Sequence, residues 1–316
     1  MAKKNRGKSR KHTERLWPQA QSLDSFGFNY VLESGSVEDI KRYQSNAEAV
    51  CEFNWKFYTE LAYQRSLIES ELLAALARAA VGPFRFNQWQ RAVKWKYSLE
   101  PMNTQGSIKY GGGRFNVGEI DPKRYPIFQA LYIAEDKDTA LQETLGQPAD
   151  SINGLLPREI ALTAKQSESL ISVSGEIETV IDLSNEPSLD LFIKALGEVN
   201  IPDYLIRDAK KLSIGPLKLI TDAAELMTAL LDPNWRKLPQ IVDVPATSQL
   251  FGQMVRSADI GGILYPSKFT SKNCLALFPN NFVNTNSFVQ LDDESPTDTV
   301  LMRIDRSNWQ MTEQIV

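Results

Sequence analysis

The sequence predicts an α+β protein: a mixed sheet behind a helical N-terminal extension. Three observations carry that expectation. A helical periodicity fills residues 47–80, and short apolar strand-like runs recur from residue 129 to residue 304. Helices and strands are also intermixed without the regular alternation that builds a doubly wound sheet. The organisation that follows is a basic tail over 1–15, a helical region over 16–95, a mixed-sheet domain over 96–291 and a C-terminal segment over 292–316.

The helical region rests on Val50, Phe53, Phe57, Leu61, Ile68, Leu72, Leu76 and Ala79, spaced mostly by three or four and therefore along one face. Gln64 and Arg65 interrupt the stripe, which allows two helices, and Gly82-Pro83 ends it. Residues 84–97 interleave Phe84, Phe86, Trp89, Trp95 and Tyr97 with Arg85, Arg91, Lys94 and Lys96. A core strip with a charged outer face is the main reading, and stacking on nucleic-acid bases is the alternative. Residues 129–134 read as a buried strand, and Asp136 or Asp138 caps a short helix reaching Leu145. Strands are expected over 160–162, 170–173 and 180–183, helices over 188–230 and 249–256, and further strands over 262–265, 275–278 and 300–304. The acidic stretch 292–299 reads as a connection.

Composition excludes several classes. Of 316 residues, 42% are apolar and 23% charged, an ordinary globular balance that can bury a core without staples. No apolar run reaches the roughly 18 residues of a membrane span, and the basic start has no apolar stretch behind it, as a secretory signal would. The expected location is the cytoplasm. Cys51 and Cys274 stand far apart in sequence, outside any paired-cysteine motif. The single histidine, His12, lies in the basic tail, so Ser-His-Asp or Cys-His chemistry has no base and a histidine-built zinc site is excluded; no metal is expected. Any chemistry must rest on carboxylate, hydroxyl, arginine or tyrosine. The net charge of −4 hides an asymmetry. Lys3, Lys4, Arg6, Lys8, Arg10, Lys11 and Arg15 face only Glu14 in the tail, leaving the rest acidic. Nucleic acid is therefore not an expected partner except through that tail, which is expected to be a solvated, disordered terminus.

Three segments carry candidate chemistry. Gly111-Gly112-Gly113-Arg114-Phe115-Asn116, closed by Gly118, offers a permissive backbone and a planar cationic fork suited to phosphate. Its spacing fits neither a P-loop nor a dinucleotide fingerprint. Tyr132 lies on the expected strand and Glu143 late on the helix after it. Ser267 follows the strand Gly262–Tyr265 and Pro266, where strand ends present site residues, and Asn273 comes soon after. Singly, each has a structural alternative: a glycine turn, a solvated carboxylate, a turn serine.

Together and in this order, the segments resemble the RES domain family, named for an arginine, a glutamate and a serine. Here these match Arg114 in Gly-Arg-Phe-Asn, Glu143 in Ala-Leu-Gln-Glu, and Ser267 in Gly-Ile-Leu-Tyr-Pro-Ser. Leu131-Tyr132, Gln249 in Ser-Gln-Leu, and Asn-x-x-x-Leu-Phe ending at Phe278 support the match, which covers roughly residues 100–290. The resemblance implies a fold similar to that of ADP-ribosyltransferases and NAD as substrate, consumed by hydrolysis or phosphorolysis, or used to ADP-ribosylate a protein. It also implies a toxin–antitoxin setting with an antitoxin partner; a homo-oligomer is a separate expectation. Under it, Arg114 and the amides of Gly112 and Gly113 would hold the diphosphate, with Asn116 in the same loop. Tyr132 would pack on the nicotinamide, Glu143 would face the ribose cation, Ser267 would hydrogen-bond ribose or phosphate, and Asn273 would support its loop. A non-catalytic RES-like binding module remains the alternative from a different class. The extension of about 100 residues before the motifs departs from the compact members.

Overall fold

The computed structural model describes residues 37–145, 167–241 and 243–313. The basic tail and the strand expected over 160–162 lie outside the described residues.

The extension forms two helices, α1 (Val37–Leu67) and α2 (Glu69–Ala79). The break falls at Ile68, three residues beyond the polar pair that suggested it. Gln64 stays helical because its amide is satisfied on both sides: Nε2 donates to Glu60 Oε1 at 2.8 Å, and Oε1 accepts from Asn200 N at 2.7 Å. In α2 the buried residues are Leu72, Ala75, Leu76 and Ala79, the i, i+3, i+4, i+7 stripe of an amphipathic helix.

An eight-stranded mixed sheet follows. Its strands are β1 (Phe84–Lys94), β4 (Leu131–Ala134), β5 (Glu168–Ile177), β6 (Val180–Asp182), β7 (Gly262–Pro266), β8 (Asn273–Leu277), β9 (Phe288–Leu291) and β10 (Arg303–Ile304). The order is β10-β9-β5-β1-β4-β8-β7-β6, antiparallel except for the parallel pair β6–β7. A separate two-stranded hairpin joins β2 (Gly112–Gly113) to β3 (Asn116–Val117). The remaining α-helices among the described residues are α3 (Lys137–Leu145), α4 (Asp190–Leu196), α5 (Asp203–Lys211), α6 (Ala223–Leu230), α7 (Lys237–Ile241) and α8 (Thr247–Ser257). The α+β expectation with a helical N-terminal region is met.

The expected boundaries are corrected at both ends. β1 lies inside the sheet, paired with β5 and β4, so the sheet begins before residue 96. β10 pairs with β9, so the segment after residue 291 also contributes to it. The strand expected over 300–304 shrinks to Arg303–Ile304. The helical stretch 188–230 is interrupted around Pro202 and over 212–222. β1 was obscured by a bulge between Phe86 and Trp89, where Gln88 takes φ +56. The bulge puts Phe86 and Trp89, three apart, on one face and breaks the alternation expected of a strand.

The strand alternation separates two cores. Leu131, Ile133, Leu275, Leu277 and Leu264 face a core with Phe86, Trp89, Met102 and Phe282. The intervening Ala134, Cys274, Ala276, Ile263 and Tyr265 face the second core, under α2, α4, α6 and α8, and Tyr132 packs against it. Away from the sheet, α1 packs on α5 through Phe53, Phe57, Leu205 and Ala209. Arg91, considered above as a base-stacking cation, is half-buried and tied to backbone instead: it donates to the carbonyl oxygens of Pro101, Asn103 and Tyr132. That burial lowers its pKa to about 10.

Candidate active site

The helix-side face of β4, β8 and β7 is the floor of the site. Register places Tyr132, Ala276 and Ile263 in one cross-strand row, and Ala134, Cys274 and Tyr265 in the next. Four segments converge above it.

The glycine-rich segment becomes the β2–β3 hairpin with Arg114 and Phe115 at its tip. Gly112 adopts φ +103, and a Cβ there would lie 2.3 Å from Asn116 O. A Cβ on Gly113 would lie 2.5 Å from the Tyr132 hydroxyl, so glycine is what lets the hairpin close over β4. Tyr132 donates to Asn116 Oδ1 at 2.8 Å and accepts from Phe115 N at 2.9 Å. The Phe115 ring is fully buried, edge-on to Tyr265 at 4.9 Å.

This geometry corrects part of the expectation. Gly112 N donates to Lys109 O and Gly113 N to Asn116 Oδ1, so these amides form no open anion nest. Asn116 is fully buried, and its Nδ2 donates to Ser107 O and Phe128 O. Gly112, Gly113 and Asn116 therefore build the hairpin and offer no group to a ligand. The cause is economy of hydrogen bonding: a buried tight hairpin must satisfy its own amides.

Arg114 is 7% exposed. Its Nη1 donates to the carbonyls of Leu230 at 3.4 Å and Asp232 at 2.9 Å, capping the C-terminal end of α6, where a cation is favoured. Glu143 reaches the site along α3, whose start is fixed by Asp136, accepting from Thr139 N at 2.8 Å. Ser267, also 7% exposed, donates to Glu143 Oε1 at 2.7 Å and accepts from Phe269 N at 3.1 Å. Two further contacts clamp α3 and its lead-in to the 267–272 loop: Thr139 with Thr270 at 2.8 Å, and Lys272 with Glu135 at 2.7 Å. Asn273 stands at the loop's base opposite Pro266, its amide donating to Glu135 Oε2.

Electrostatics tie the segments together. Burial raises the Tyr132 pKa; Arg114 and Arg236 oppose the shift and Glu143 adds to it. Burial also raises those of Tyr265 and Cys274, and both feel Glu143 and Arg114. Arg114, Tyr132 and Glu143 thus lie within electrostatic reach of one another, and Ser267 joins them through its bond to Glu143. A hollow of about 510 Å³ lies beside them, bordered by Leu231, Asp232, Pro233 and Lys268; the four side chains are not among its lining residues.

Two contributors were missed or underrated in the sequence. Gln249 is fully buried on α8, and its Nε2 donates to Gly111 O, Gly113 O and Asn116 O at 2.8, 3.1 and 3.0 Å. Its Oε1 accepts from Ala246 N at 3.0 Å, so one amide clasps the hairpin to the helix start. Arg236 carries no motif signal and is found only through its surroundings.

No helix among the described residues is long and apolar enough to cross a membrane. No curated protein matches the chain. A solved structure with a similar chain is that of the M. tuberculosis MbcT–MbcA toxin–antitoxin complex, at 11% identity and a TM-score of 0.40, covering 78% of this chain and 98% of that one. The RES domain family matches residues 191–297, a stretch that holds Arg236, Gln249, Ser267 and Asn273 and begins after Arg114, Tyr132 and Glu143. The resemblance to the RES domain family thus has a match of its own behind it, over residues 191–297.

Proposed function

We propose that this chain cleaves the nicotinamide–ribose bond of NAD. The observation that supports the reading is the convergence of Arg114, Tyr132, Glu143 and Ser267, from four separate segments, with Glu143 held by Ser267 at 2.7 Å.

As the C–N bond breaks, its electron pair stays on the pyridine nitrogen and nicotinamide leaves neutral, so no general acid is needed. Positive charge grows on the ribose ring. Glu143 has one oxygen engaged by Ser267; the other would accept from a ribose hydroxyl and face that charge. Arg114 would bind the diphosphate and Tyr132 would flank the nicotinamide. Water, phosphate or a protein side chain then captures the sugar. The RES resemblance further suggests a toxin's role, restrained by an antitoxin.

Purified protein is mixed with NAD, with and without phosphate, and free nicotinamide is measured. Release by the parent chain, lost in Glu143→Ala, is the expected result. Label from adenine-labelled NAD appearing on protein would assign transfer instead of depletion. A Glu143→Ala chain as fast as its parent, or a parent that releases nothing, overturns the reading.

A further inference from the structure

We propose that Arg236 pairs with Arg114 to form a two-guanidinium clamp for a diphosphate diester. This rests on the NAD reading above and extends it to a residue that the motifs do not contain.

One carbonyl places the two arginines. Asp232 O accepts from Arg114 Nη1 at 2.9 Å and from Trp235 N at 3.3 Å, so the turn leading to Arg236 is pinned to the atom that holds Arg114. Arg236 is exposed, and its guanidinium lies over the Trp235 ring at 4.3 Å from the centroid. Trp235 is only 6% exposed and serves as a fixed platform, which lowers the entropy lost when Arg236 grips a ligand.

The local charge is unbalanced in the sense an anion would correct. Desolvation is the main influence lowering the Arg236 pKa; Arg114 lowers it further, while Tyr132 and Glu143 oppose the shift. Among the described residues, neither arginine forms an ion pair with a carboxylate. Glu143, the carboxylate nearest in influence, already accepts from Ser267. Two guanidiniums beside one engaged carboxylate leave net positive charge, with the exposed Arg236 offering a whole fork to phosphate oxygens and Arg114 the part of its fork not spent by Nη1 on the Leu230 and Asp232 carbonyls. A diphosphate diester carries two negative charges on adjacent phosphorus atoms and suits such a pair.

The test is binding of ADP-ribose and of adenosine, by calorimetry, to the full chain and to Arg236→Ala and Arg236→Lys. Losing a hydrogen-bonded charged partner should weaken ADP-ribose by about 10- to 100-fold. Adenosine, which lacks the diphosphate, should bind all three chains alike, and Arg236→Lys should fall between, keeping charge but not the fork. Arg236 is exposed, so the variants should keep the parent's unfolding midpoint. The clamp is overturned if Arg236→Ala binds ADP-ribose as tightly as the parent, if adenosine weakens equally, or if the parent shows no preference for ADP-ribose over adenosine. A diphosphate-dependent loss in a parent that releases no nicotinamide would keep the clamp and reject the cleavage reading.

Discussion

Ser267 Oγ donates to Glu143 Oε1 at 2.7 Å across 124 residues of sequence. The same oxygen accepts from Phe269 N, so the serine is oriented by its own loop before it meets the carboxylate. Ser267→Ala should therefore do less harm than Glu143→Ala but act through the same step. Losing a hydrogen bond to a charged group should lower kcat for nicotinamide release by about 10- to 100-fold. Removing Glu143 should lower it by about 100- to 1000-fold, the usual effect of deleting one transition-state contact. Because the two residues share one bond, the double variant should lose much less than the product of the single losses. Simple multiplication of the two effects would show that Ser267 acts independently of Glu143.

Gln249 offers a test of how the hairpin is held. Gln249→Ala leaves three carbonyls without the Nε2 donor and Ala246 N without its acceptor, in a fully buried place. A loss of about 2–4 kcal/mol in unfolding free energy is expected. One turn along α8, Gly252→Ala probes the same contact sterically, since a Cβ would lie 2.0 Å from Phe115 O. That change should cost about 1–3 kcal/mol by overpacking alone. Denaturant unfolding measures both. If both variants unfold with the parent, the hairpin does not depend on α8.

These two residues also show where the sequence was legible. Ser267 stood out at the end of a recognisable strand, whereas Glu143, by itself a helix carboxylate with a solvated alternative, gained its weight only from the family resemblance; the structure joins the two directly. Gln249 was visible only as part of a family resemblance: a glutamine on an amphipathic helix gives no sign that its amide will meet three carbonyls from residues over 130 positions earlier. Under the resemblance the glycines before Arg114 would offer their amides to a diphosphate, but permissive backbone serves both ligands and tight hairpins; the Gly112 and Gly113 amides, already donating to Lys109 O and Asn116 Oδ1, decide between them. Arg236 was silent because its position depends on Asp232 O, a backbone atom that no side-chain pattern encodes. β1 was hidden by its bulge, and Arg91 by a burial that three carbonyls make tolerable.

Alkaline pH should destabilise the sheet floor in a way that two substitutions reveal. Burial raises the pKa of Cys274 and of Tyr132, so the folded chain keeps both protons at pH values where the unfolded chain loses them. Unfolded cysteine ionises at about 8.5 and tyrosine at about 10. Below those values both groups contribute their full stability; above them the unfolded state binds fewer protons than the native state, and stability falls as pH rises. Cys274→Ala removes the earlier part of that decline and Tyr132→Phe the later part. Tyr132→Phe should also lose about 1–3 kcal/mol at neutral pH, because Phe115 N and Asn116 Oδ1 lose their shared partner. Urea unfolding between pH 7 and 11 should give a shallower alkaline slope for each variant than for the parent. Parallel slopes for all three chains would mean that neither buried proton resists release in the folded state.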